Sequence, residues 1–386
     1  MALLATMACQ SAQVQAPPQS PSPPNVYGTP VKASQPSNAE LASALTEATS
    51  AWLTSLTGTQ KTKCVIGYSD IQRTDWHFIP RPWRKGLALS EMTAEQEKLA
   101  MELLRVSISD QGFEKLHKIM LEQGFLRLTE NQNPPNCCGI YGTQCGNGSG
   151  CPSIFDERYY FFSVFGQPTM SGEWGLSIEG HHFSVNYTIE GGQVIASTPT
   201  AFGSAPAIMI ADNYPPIKKG TRNLALEQDL AIELYEMLLP DQKKVALLTK
   251  DSPRDIINAG SLYPLAGSPV GLRAREMTHG QRKQLRSLLE VYAHNMPEAI
   301  ARDWMASIDE NGFDEIYFAF MGTTPMGENK QYVVQGPAVL INFSNSQPDS
   351  QGNPANHIHA IWRNPKGDFN IGNPFYPYSP RNVAPE

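Results

Sequence analysis

The chain has 386 residues, 41% hydrophobic and 17% charged, with a formal net charge of −7 and no long run of Lys or Arg. That length can bury a large core and suggests two domains, or one large domain with a tail. The acidic balance argues against a nucleic-acid partner, whose affinity comes mainly from phosphate neutralisation, and no apolar run reaches the roughly 18 residues that span a bilayer.

Residues 1–9 are short, apolar and end in Cys9 after a small residue; residues 10–37 are rich in Pro, Ser and Gln with Lys32 as the one charge. Such a segment buries too little apolar surface to fold and is expected to be a flexible tether. Together they resemble the end of a bacterial lipoprotein signal with Cys9 as the lipidated residue, so the expected location is exported: periplasmic, cell-surface or extracellular, with membrane contact only through that anchor. Cys137, Cys138, Cys145 and Cys151 lie in a Gly/Asn/Pro-rich loop. A zinc knuckle would normally show Cys-x2-Cys pairs. Their absence favours disulfides of open connectivity. Cys64, in an apolar stretch, is expected to be a buried thiol.

In chain order, residues 38–57 have Leu41, Leu45, Ala48, Trp52 and Leu56 at helical spacing, with Ser37 or Asn38 as cap. Residues 74–83 are extended, because their prolines exclude helix. A repeat then emerges: residues 86–106 and 271–291 share ten identities in twenty-one positions. Thr93-x-x-Gln96 and Thr278-x-x-Gln281 are each a capping box, but the flanking Gly-Leu and Glu-Met are not explained by capping, which favours duplication. Second helices are expected at 112–124 and 297–311, followed by aromatic strands at 159–166 and 316–322, and Gly180–Asn186 lines up with Gly336–Asn342. Helices preceding runs of strands imply an α+β fold with mainly antiparallel sheet. The expected plan is a single domain over 38–373, of two similar helix-helix-strand-meander halves (approximately 85–200 and 271–363) about a pseudo-twofold. A helical bridge over 224–249, broken at Pro240, joins them, with a loop over 251–270 and a tail at 374–386.

The candidate chemistry lies in two histidine pairs. His357 and His359 are i and i+2 in a strand and face the same side, as a two-histidine chelate requires. His181 and His182 follow Glu179-Gly180, where the apolar positions switch from even to odd numbers, as a β-bulge would produce. Three or four histidine nitrogens, with Glu179 as general base or a fourth ligand, suit zinc, iron, copper or manganese. The competing expectation is a set of hydrogen-bonded core histidines. His77, His117, His279 and His294 look ordinary. Arg363 is placed either to bind a substrate carboxylate or to pair with Asp368, the commoner fate. Trp174 and Trp362 suit a pocket wall or, more often, a core. Neither a Gly-x-Ser-x-Gly elbow nor a phosphate-binding Gly-rich loop is present.

The segments Tyr160–Pro168, Trp174–Asn186 with its Gly-His-His, Thr198–Ala207, and His357–Arg363 with Asp368-Phe369 resemble a large bacterial and fungal family known only as a domain of unknown function, over roughly residues 40–373. The resemblance implies export and strengthens the site without supplying a reaction. The chain departs from the family pattern in its cysteine-rich insertion at 134–153. It also carries Asn342 where an acidic residue is usual and lacks the C-terminal histidine often seen after the Asp-Phe-Gly-like segment. The functional expectation is a metal-dependent hydrolase acting on a small molecule or peptide; the alternative is a non-catalytic surface protein that binds a metal or a polar ligand.

Overall fold

Helix starts are set by short-range capping. In α1 (Asn38–Ser55), Ser37 Oγ accepts from Glu40 N at 3.2 Å while Glu40 returns the bond to Ser37 N at 2.6 Å. The chain then runs through α2 (Gly58–Cys64), β1 (Val65–Ile66), β2 (Leu87–Ala88), α3 (Ala94–Ser107), α4 (Asp110–Thr129), β3 (Phe161–Gly166), β4 (Glu173–Gly180), β5 (Phe183–Glu190), β6 (Gln193–Ala196) and β7 (Thr200–Ser204). After it come α5 (Ala225–Met237), α6 (Pro240–Ala246), β8 (Leu247–Thr249), β9 (Leu272–Arg273), α7 (His279–Ala293), α8 (Glu298–Glu310), β10 (Tyr317–Gly322), β11 (Lys330–Gly336), β12 (Val339–Asn345) and β13 (Ile358–Arg363). This computed structural model describes residues 37–81, 84–129, 154–264, 267–349 and 352–378. Cys9, Cys137, Cys138, Cys145, Cys151, Pro82, Trp83 and most of the expected C-terminal tail lie outside them. The expected bridge differs in one respect: Pro240 starts α6 at a position where its missing N–H costs nothing, and the last three residues of the bridge are a strand, β8.

The α+β expectation holds. Among the described residues one 13-stranded sheet runs β1-β3-β4-β5-β7-β13-β12-β11-β10-β8, with β2 on β3, β6 on β5 and β9 on β10. Its pairings are antiparallel except β1–β3 and β8–β10 at the two edges. From either edge the order is the same: a short parallel strand that follows two helices, a strand flanked by a two-residue side strand, a hairpin, and a strand that meets its counterpart at the β7–β13 seam. The capping glutamines also serve both halves alike. Gln96 Nε2 donates to Ser55 O at 2.9 Å and to Gln60 Oε1 at 3.0 Å; Gln281 Nε2 donates to Met237 O and Gln242 Oε1, each at 2.8 Å.

Strand alternation splits the sheet into two unlike faces. One carries Trp174, Leu176, Ile178, Val185, Ile341, Ile358 and Trp362 into the main core under the helices, so both tryptophans are core residues. The other carries Ser163, Ser177, Glu179, Asn186, His359 and Arg363, all buried. Loops cover this face through a small cluster of Trp76, Phe78, Ala201, Ile361 and Phe369. Cys64 is a buried thiol whose pKa burial pushes up to about 12. No described helix is long and apolar enough to cross a membrane.

Candidate metal centre

His181 and His182 form the two-residue turn of the β4–β5 hairpin, closed by the Gly180–Phe183 pair. A bulge within one strand was the sequence expectation; a turn explains the same switch of apolar parity, because the chain reverses between the two strands. Gly180 admits no side chain, since a Cβ there would lie 2.3 Å from the Tyr160 ring. His182 has φ 66°, the left-handed region that non-glycine residues rarely occupy. Two backbone bonds hold it there: His182 N–H donates to Phe78 O and Gly203 N–H donates to His182 O, both at 2.7 Å. Gly203 gives the ring room, as a Cβ there would sit 2.8 Å from His182 Cδ2.

His357 precedes β13, anchored by its N–H to Asn345 Oδ1 at 3.0 Å. His359 lies within β13, opposite Gly203 of β7. The sheet centre therefore brings both pairs together. His182 Nε2 lies 2.8 Å from His357 Nε2, and His357 Nε2 lies 3.1 Å from His359 Nε2. The His181 ring stacks on His182 with centroids 3.6 Å apart. Among the described residues, the group able to hold a metal is His181, His182 and His357, whose candidate ligand nitrogens lie within 4.8 Å of one another. His359 joins it through His357.

The outer partners decide the tautomers. Gln123 Nε2 donates to Ile119 O at 3.0 Å, which turns its Oε1 toward His181 Nδ1 at 2.7 Å. His181 thus carries its proton on Nδ1, and its buried Nε2 has no partner. His359 Nδ1 donates to Asp255 Oδ1 at 2.7 Å, leaving its Nε2 bare. Asp255 is held in turn by Ile256 N and by Gln347 Nε2 at 2.7 and 2.9 Å. With all rings neutral, His357 Nε2 can complete only one of its two contacts, because the hydrogen bond needs one proton and one lone pair. The other leaves two nitrogens at hydrogen-bond distance with no proton between them.

Burial, reinforced by the neighbouring histidines, holds His181 and His182 well below the usual imidazole range. Burial and His359 bring His357 down to about 3, against the pull of Asp255. Burial alone would raise Asp255, but the hydrogen bonds from His359 Nδ1–H and Ile256 N–H help keep it below the usual carboxylate value. Neutral imidazoles with a carboxylate behind one of them are the form in which histidine binds transition metals. His181, His182 and His359 are buried, whereas His357 is half-buried and forms the solvent side.

The other two residues singled out from the sequence lie elsewhere on this face. Glu179 accepts from Lys85 Nζ at 2.8 Å and Ser177 Oγ at 3.1 Å, and Arg84 lies 3.7 Å away, with all four side chains buried. These cations grip the covering segment: Arg84 donates to the carbonyls of His77 and Ile79, and Lys85 to that of Asp75. Glu179 is therefore placed to hold Phe78 over His359, whose rings are 4.7 Å apart. Arg363 pairs with buried Asp368 at 2.6 Å and donates to the carbonyls of Ser261 and Leu262 at 2.6 and 3.0 Å, tying β13 to the covering loop.

Gln123 and Asp255 carry no signal strong enough to single them out in the sequence, and His77 looks ordinary there. Gln123 left a trace, a polar residue in register with Leu116 and Ile119 on the buried stripe of α4. Asp255 left none, lying in an irregular loop. Beside the centre is a cleft of about 410 Å³ whose lining includes His77, Phe78, Ile79, Asp255 and Ile256. It shares Phe78 and Asp255 with the surroundings of His359.

No curated protein and no solved structure matches the chain. Both histidine segments, the strands that carry them and the loop that supplies Asp255 fall within residues 38–371, the span matched by the family model described as "Protein of unknown function (DUF3500)", and the chain belongs to that family.

Proposed function

We propose that the chain is a metal-dependent hydrolase in which His181, His182, His357 and His359 hold a divalent transition ion, zinc, iron, copper or manganese. The observation that carries this is the proton count at His357 Nε2, which approaches two other ring nitrogens at 2.8 and 3.1 Å and can satisfy only one. A cation accepts the lone pairs and removes the conflict. Ligand nitrogens about 2.1 Å from a tetrahedral zinc are about 3.4 Å apart, close to these separations. When bound, such an ion supplies Lewis acidity toward a carbonyl or a water. Half-buried His357 and the neighbouring cleft give a small molecule or peptide a route to it. In this proposal Glu179 and Arg363 position the covering segments.

The test is elemental analysis of the full chain after growth with supplemented metals, beside turnover of ester and amide panels by loaded and stripped protein. Absence of stoichiometric metal, or turnover that survives stripping, would sink the proposal. One observation favours a non-catalytic metal-binding role instead: three of the four histidines are buried, as in closed structural sites. A cobalt-loaded protein whose visible spectrum ignores added azide would support that alternative.

Two accompanying proposals concern the whole chain. Export with a lipid at Cys9 and bridged loop cysteines is supported by the apolar start and the Pro/Ser/Gln-rich segment after it; a Cys9→Ser variant that still labels with palmitate would exclude it. Duplication of one unit is supported by the sheet order, the matched glutamine networks, and the hairpin turns His181-His182 and Pro337-Ala338 at corresponding places.

A further inference from the structure

We infer that the cleft beside the histidine centre binds an uncharged carbonyl compound, an amide or ester with a short apolar substituent, whose oxygen accepts a hydrogen bond from His77 Nε2–H. His77 Nδ1 accepts from two backbone donors, Phe78 N at 3.0 Å and Ile79 N at 3.2 Å. An acceptor nitrogen cannot carry the proton of a neutral ring, so the proton sits on Nε2. That atom has no partner among the described residues and is not shut away with the buried unpaired atoms. It lies on the cleft side, where a Cβ on Gly260 would come within 2.8 Å of it. Burial and the nearby Arg81 and Arg84 bring His77 down to about 4, so it acts as a neutral donor at ordinary pH.

The rest of the cleft selects against charge. Phe78, Ile79 and Ile256 offer an apolar wall. Asp255 lines the same cleft, its Oδ1 engaged by His359 and Ile256 and its Oδ2 by Gln347, and adds negative potential there. An anion is repelled by it, and a neutral imidazole offers no charge in return. Arg81 pairs with Asp75, and buried Arg84 is engaged by Glu179, which it shares with Lys85, and by the carbonyls of His77 and Ile79. A neutral carbonyl satisfies the open His77 donor. A pocket of this size with an apolar wall and a few polar groups is typical of small-ligand sites.

Treating this compound as a substrate rests on the hydrolase proposal; its binding does not. The experiment uses the full chain with ¹⁵N-labelled histidine, zinc-loaded and zinc-free, titrated with isovaleramide and with isovalerate, its anionic counterpart of similar shape. The expected result is a His77 resonance of the Nε2–H tautomer that shifts saturably with isovaleramide, with isovalerate at least tenfold weaker. His77→Asn, which can still accept from the backbone but loses the Nε2 donor, is expected to lose binding at least tenfold with unchanged zinc content. Gly260→Ala, which puts a methyl beside Nε2, is expected to lose it too. An Nδ1–H tautomer, no saturable shift, isovalerate binding as well as the amide, or wild-type affinity in both variants would overturn the inference. A His77 shift in a protein that takes up no zinc would support the cleft and count against the hydrolase.

Discussion

His359 donates its Nδ1–H to Asp255 Oδ1 at 2.7 Å, which leaves its Nε2 lone pair facing His357. The carboxylate thus fixes which nitrogen the centre can use. Asp255→Asn keeps the shape and loses the charge behind the ring, and outer carboxylates of this kind typically change metal affinity about 10–100-fold. Chelator competition on the full chain is expected to show a loss of that size with His359 still in place. Unchanged affinity would mean that His359 is not a ligand.

The centre depends on His182 and its turn. Asn tolerates the left-handed conformation better than most residues, so His182→Asn is expected to keep the hairpin and lose the metal. Added zinc is expected to stabilise the wild type by about 2.7 kcal/mol at a hundredfold excess over its dissociation constant. His182→Asn and His357→Ala are expected to show no such gain in thermal melting. A metal-dependent rise in both variants would point to a different ligand set.

Metal-free protein is expected to lose stability as pH falls below about 6.5, where unfolded histidine begins to bind protons. Folded His357 waits until about 3, and His77 until about 4. Between those values the unfolded chain holds more protons, so stability rises with pH, by up to about 1.4 kcal/mol per unit for each histidine. Asp255, held below its usual value, adds a loss in the same direction at still lower pH. Urea denaturation between pH 7 and 5 tests the sign, and a His357→Phe variant is expected to show a shallower slope.

The Lys85–Glu179 pair is buried on both sides, each side chain 4% exposed. Glu179→Gln leaves Lys85 and Arg84 buried with no carboxylate between them. Breaking a buried pair from one side typically costs about 3–5 kcal/mol. The variant is expected to unfold at correspondingly lower denaturant and to expose residues 75–79 to hydrogen exchange. Lys85→Met/Glu179→Gln together are expected to recover part of that loss, because only Arg84 is then left without a carboxylate.

Local and periodic information carried the sequence reading far. The α+β class, the helix starts at Thr93 and Thr278, the core alternation of Trp174 through Ile178, and the four histidines were all legible, because caps and strand periodicity act within a few residues. The hairpin turn at His181-His182 was misread as a bulge, since a turn and a bulge change apolar parity alike. Three things required the tertiary structure. The meeting of the histidine pairs depends on β7 lying between β5 and β13, a pairing between residues more than 150 positions apart. The tautomers depend on Gln123 and Asp255, which come from a helix and an irregular loop with no shared spacing. The positioning of Glu179 depends on Arg84 and Lys85, about 95 residues before it, whose charges would otherwise be buried alone. Side-chain types and short-range order are properties of the sequence; which lone pairs face one another is decided only when distant strands close.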